Sequence, residues 1–134
     1  MSHPRTKIRN RLKGLIVDAT QNVPVELNRA HRTSEYPYIN ISSSEDLSEF
    51  DDYTPTTTAR RYRLDVDLYV SSLNQDEETD DLIKIIEQVI RDNRKSTDWS
   101  FIFLSNITSP ELEAGDVDYA TTNLDIQINY EVQS

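Results

Sequence analysis

His3 and His31 are the only imidazoles in this chain, and neither has the company that catalysis needs. Ser34 and Glu35 follow His31 closely. Nucleophilic catalysis, however, requires a base that is held in place by a third group, and three neighbours in one polar stretch do not supply that. Asp65 and Asp67 are better spaced. Two residues apart in an alternating segment, they share one strand face and could imitate a paired-carboxylate acid–base site. Arg61 and Arg63 continue the same stripe, so a solvated face with cross-strand ion pairs accounts for them. The run Asp76, Glu77, Glu78, Asp80 and Asp81 lacks the alternating ligands, internal glycine and closing glutamate of a calcium loop. Gly14 and Gly115 are the only glycines, too few for a loop that cradles phosphate. Cysteine is absent, which removes disulfides and thiolate metal sites. The sequence therefore predicts no catalytic residue, no metal and no cofactor, and the protein is not expected to be an enzyme.

The elements that must position these residues follow from periodicity. Ile8, Leu12, Leu15 and Ile16 form the apolar stripe of an amphipathic helix that opens near Pro4 and ends before Pro24. Arg5, Arg9 and Lys13 recur every four residues and make a basic ridge beside that stripe. A short strand is expected around Val25–Asn28, and another over Tyr38–Ser42, following Pro37. From Ala59 to Ser72 apolar and polar residues alternate strictly, predicting a long half-buried strand. A second helix starts in the Asn74–Asp81 region, where massed acids suit the helix dipole. Leu82, Ile85, Ile86, Val89 and Ile90 give its buried stripe. Trp99–Leu104 and Ala120–Val132 read as strands. Residues 42–58 are polar, acidic and without period, predicting a long mobile loop of the kind that serves binding.

At 134 residues the chain fits one domain over 1–134. The expected class is α+β: a mixed, mainly antiparallel sheet of four to five strands backed by two helices. Fourteen extended residues span about 46 Å, whereas a compact chain of this length measures about 36 Å across. The long strands must bend or project beyond the core. Charge is polarised as well. Residues 1–32 hold seven basic and two acidic side chains, the remainder seven basic and 22 acidic, within a net charge of −10. A polarised chain attracts copies of itself or an oppositely charged partner. No apolar run approaches the roughly 20 residues that span a bilayer. The basic N-terminus has no apolar stretch after it that would make a secretory signal, so synthesis in the cytosol is expected.

The element order and several segments resemble a known family. The Tyr36-Pro37-Tyr38-Ile39-Asn40-Ile41 strand, the Tyr62–Val70 strand, Asp76 opening the second helix and the closing Tyr130-Glu131-Val132 carry the likeness. They are similar to the minor tail proteins of long-tailed bacteriophages, the family that includes the lambda-type tail terminator. The resemblance implies a virion protein at the tail–neck junction, assembled in the host cytoplasm. It would form a homohexameric ring that caps the tail tube, stops its polymerisation and provides the head-joining surface. Implied partners are other copies of the chain, the tail tube protein, a head-completion or connector protein and, in a contractile tail, the sheath protein. DNA would pass through the ring without specific contact. On this reading Asp76, Glu77 and Glu78 of one subunit are expected to meet Arg61, Arg63, Arg5, Arg9 or Lys13 of the next. Glu45, Asp46, Glu49, Phe50, Asp51, Asp52 and Tyr53 become candidates for docking on the tube or neck. Another neck or connector ring protein, or a small cytosolic adaptor, stays open as an alternative.

Overall fold

A computed structural model describes residues 4–21, 23–27, 37–49, 57–71, 75–108 and 119–133. Helix α1 spans Pro4–Ala19 and α2 spans Gln75–Asp92. The strands are β1 (Val25–Leu27), β2 (Tyr38–Glu49), β3 (Thr57–Ser71), β4 (Phe101–Thr108) and β5 (Tyr119–Gln133). They form one sheet in the order β1-β2-β3-β5-β4. Only the β1–β2 pair is parallel; the other three pairs are antiparallel. The fold is α+β, with two helices and a mainly antiparallel five-stranded sheet.

Strand alternation decides which side the helices cover. Tyr62, Leu64, Val66, Leu68 and Val70 of β3 are fully buried, as are Leu124, Ile126 and Ile128 of β5. Against this face α1 buries Ile8, Leu12 and Ile16, and α2 buries Leu82, Ile86 and Ile90. Each such side chain is worth about 1.5–3 kcal/mol relative to exposure. Arg11 ties α1 to the connection between α2 and β4: its Nη1 lies 3.7 Å from Asp98 Oδ2, and its guanidinium sits 5.8 Å over the Trp99 ring. Trp99 Nε1 donates to the Asn93 carbonyl at 2.8 Å. The hydrogen bonds of this connection, rather than a ladder, hold Trp99, and β4 begins at Phe101 instead of the expected Trp99.

The segment 42–58 is not one loop. β2 runs to Glu49 and β3 begins at Thr57, with Glu45, Asp46 and Glu49 in register with Arg63, Tyr62 and Ala59. Two causes hid this strand from the sequence. Its backbone bonds come from the neighbouring strongly β-forming segment rather than from its own propensity, and a bulge between Ser43 and Glu45 breaks the period of two. Phe50, Asp51, Asp52 and Tyr53 lie outside the described residues.

β3 and β5 are each 15 residues long and pair without interruption from Thr57↔Gln133 to Ser71↔Tyr119. That is about 50 Å of ladder, whereas helices of 16 and 18 residues reach only about 24 and 27 Å. Among the residues of β3 whose burial is described, the fully buried ones begin at Tyr62. There Arg9 of α1 contacts the sheet, and Ile102, bonded to Arg94 just beyond α2, lies in the same row through Ile128. Past this row Thr57–Arg61 continue the ladder for about 15 Å, paired with Asn129–Gln133 on one side and Leu47–Glu49 on the other, and Tyr130, opposite Arg60, is still buried in the core.

Candidate assembly surface

The sheet face turned away from the helices is built from the other half of the alternation. Arg61, Arg63, Asp65, Asp67 and Tyr69 of β3 lie beside Thr121, Asn123, Asp125, Gln127 and Asn129 of β5. Asp65 stands directly opposite Asp125, an arrangement that costs energy unless other groups compensate. Two do. Arg63 pairs with Asp125 on the diagonal, and the Asn123 amide donates to Asp67 Oδ1 at 2.9 Å and to Asp65 Oδ1 at 3.4 Å. Burial pushes the Asp67 carboxyl above its ordinary value. The Asn123 hydrogen bond works against that shift, and the nearby Asp65 charge adds to it. On this face Arg63 and Asp125 form an ion pair, while Asp65 and Asp67 share the neutral Asn123 amide. Among the described residues no group of three or more His, Asp or Glu is placed to hold a metal, and no helix there is long and apolar enough to cross a membrane.

The residues singled out from sequence separate into three places. Arg61 and Arg63 lie on this open face. Arg9 lies on the helical side, where its Nη1 donates to the Tyr62 hydroxyl at 2.9 Å and to Ser43 Oγ at 3.1 Å. Arg5 is exposed one turn before it, and Lys13 is half-buried one turn after. Asp76, Glu77 and Glu78 form the first turn of α2, just beyond the Ser71 end of β3. From Ser71 to Tyr62 is about 30 Å of strand. Within one chain the acidic helix start and the basic ridge therefore stand at opposite ends of the helical layer. Glu77 is exposed and Glu78 half-buried. Glu45, Asp46 and Glu49 occupy the C-terminal half of β2.

No protein-family model and no curated protein matches this sequence. The fold itself recurs. Thirty-six chains of solved structure match it, among them one known only by a serial label. That chain superimposes with a TM-score of 0.53 at 14% sequence identity, covering 97% of this chain and 93% of its own. Identity at this level speaks for the shared fold alone.

Sequence reasoning missed two features. The first is the pair of bulges at Ser44 and Ser105, on β2 and β4. Both lie beside the Leu64↔Ile126 row of the central strands. In each, the extra serine turns its hydroxyl to the central ladder: Ser44 Oγ donates to the Arg63 carbonyl at 3.2 Å and Ser105 Oγ to the Asp125 carbonyl at 3.0 Å. The second is the exposure of β4. A dense apolar run reads as a buried strand, yet β4 is the sheet edge, and Phe101 and Ile107 are exposed. The polar continuation Ser105-Asn106-Ile107-Thr108 was the available signal.

Proposed function

We propose that this protein is a phage tail terminator: a virion protein that assembles as a hexameric ring on the tail tube, ends its polymerisation and offers the head-joining surface. The observation that carries this reading is the length of the central ladder: β3 and β5 pair over 15 residues each, about 50 Å, against helices of about 24 and 27 Å. A monomer gains nothing from strand length beyond its own core, and exposed strand is a liability that natural proteins avoid unless something covers it. A subunit that must reach its neighbours or a tube has a use for so long a ladder. The opposite charges of the N-terminal and remaining segments fit contacts between like copies, and the likeness of sequence segments to the minor tail protein family points the same way.

Electron microscopy and mass measurement of the purified protein, alone and mixed with tail tubes, test the proposal. A sixfold ring in either condition is expected, together with arrest of tube growth when the protein is added. A monomer in both conditions, with tubes that keep growing, would overturn it. Copurification with isolated heads rather than with tails would instead assign the ring to the connector.

A further inference from the structure

β4 closes one side of the sheet, and its composition is not that of a guarded edge. Phe101–Thr108 reads Phe-Ile-Phe-Leu-Ser-Asn-Ile-Thr, without a charge or a proline, in a chain of net charge −10. Natural edge strands commonly carry such residues to discourage pairing. Among the described residues the exposed large apolar side chains are Phe101 and Ile107, at 38% and 41%, and both belong to this strand. Its strand partner among the described residues is β5 alone.

The ladder fixes which rungs of β4 face outward. Ile102 turns its backbone away from β5: its N–H donates to the Arg94 carbonyl at 3.1 Å, and Arg94 Nη1 donates to its carbonyl at 3.1 Å. That rung is sealed. By the alternation of an antiparallel pair, Leu104, opposite Ile126, turns the same way. The extra residue Ser105 then delays the next outward rung to Ile107, opposite Leu124. All three side chains lie on the helical face, because Ile128, Ile126 and Leu124 opposite them belong to the core. Beside Leu104 on that face is a groove of about 280 Å³, lined by Glu87, Ile90, Arg91, Arg94 and Leu104.

We infer that the β4 edge pairs with β4 of a second copy, antiparallel about a two-fold axis, with Leu104 of each copy opposite Ile107 of the other. The bulge selects this occupant. Outward rungs of a straight strand recur every two residues, so such a strand falls out of step between Leu104 and Ile107, which are three apart. A second β4 has the same spacing and stays in step. A two-fold axis perpendicular to the sheet keeps both helical faces on one side, so Ile107 of each copy covers Leu104 and enters the groove beside Ile90 of the other. Uncharged strands also bring two chains of net charge −10 together where repulsion is least. The groove's rim, with Glu87 and Arg91 one turn apart on α2, is self-complementary across such an axis. This pairing concerns the protein away from the tube and does not rest on the ring reading. A dimer alone and a ring on tubes are compatible.

Sedimentation velocity of the protein without tubes tests the pairing. The wild type is expected to be a dimer. Ile107→Lys, which brings a charge to each groove, is expected to dimerise at least about tenfold more weakly with an unchanged circular dichroism spectrum. A cross-link checks the register. The chain has no cysteine, and a hydrogen-bonded antiparallel pair stands about 5.5 Å apart at Cα, within disulfide range. A mixture of the Leu104→Cys and Ile107→Cys variants is expected to oxidise to a linked dimer, while neither variant alone does so. A wild type that stays monomeric without tubes overturns the pairing. So does Ile107→Lys that dimerises as tightly as the wild type, or cysteine variants that link no better mixed than alone. Each of these results leaves the ring to its own test on growing tubes.

Discussion

Arg9 and Tyr62, 53 residues apart in sequence, meet where α1 crosses the Tyr62↔Ile128 row of the sheet, and the arginine donates to the phenol at 2.9 Å. Ser43 completes the cluster through its own bond to the Tyr62 hydroxyl. The Tyr62 ring also packs edge-on against Tyr130, at 6.3 Å between centroids. Hydrogen bonds from charged groups contribute about 1.5–3 kcal/mol each. Tyr62→Phe keeps the ring packing and removes that bond, so it is expected to destabilise the fold by about 1–3 kcal/mol. Urea unfolding checks this, through a lowered midpoint at unchanged slope. An unchanged midpoint would mean the cluster contributes nothing.

The Arg63–Asp125 pair is unevenly exposed, with side chains 39% and 14% accessible. Solvent reaches the arginine and screens the attraction, so a double-mutant cycle with Arg63→Met and Asp125→Asn should give a coupling of no more than about 1 kcal/mol. The single changes are predicted to be unequal. Removing Arg63 strands a largely buried carboxylate, whose Oδ1 already has no hydrogen-bond partner among the described residues. Arg63→Met is therefore expected to cost more than Asp125→Asn, by about 1 kcal/mol or more.

Asp67 makes stability depend on pH in the direction opposite to a paired carboxylate. Its folded-state pKa is raised, chiefly by burial, so the folded protein holds this proton more tightly than the unfolded chain does. The penalty of the buried charge is present in full above the folded pKa. It fades as pH falls through that value toward the ordinary aspartate value. Asp67→Asn removes the penalty, so the variant is expected to be more stable than wild type at pH 7, with the gap closing as pH is lowered toward 4. Paired unfolding curves at several pH values read this directly, and a gap that widens on acidification would contradict it.

α1 carries its glycine in mid-helix and a glutamine where glycine would serve better. A Cβ at Gly14 would meet nothing within 4 Å, and an exposed helical glycine costs about 0.5–1 kcal/mol relative to alanine. Just past the helix end Gln21 adopts φ 58°, the left-handed region in which a helix commonly closes on glycine. Gly14→Ala and Gln21→Gly should each raise the melting temperature. Their effects should add, because the sites share no contact and lie about 10 Å apart along the helix.

Strict alternation over Ala59–Ser71 and Ala120–Val132 dictated both long strands and their faces, because a period of two leaves one arrangement in which all the apolar side chains point inward. The i, i+4, i+8 spacing of Ile8, Leu12 and Ile16, and the stripe from Leu82 to Ile90, likewise determined both helices and the sides they bury. Strand length against chain size was enough to require that the strands bend or project. What the sequence could not decide lies in partners that are distant along the chain. The outer half of β2 is a strand only because β3 offers it a ladder, and its bulge erases the local period. Arg9 belongs to Tyr62 and Ser43 rather than to an open ridge, since α1 happens to cross the sheet at that row. β4 stands at the edge with Phe101 and Ile107 exposed because β5 returns between β3 and β4. Apolar content makes a residue seek cover, but only the order of strands settles whether a neighbour is there to provide it.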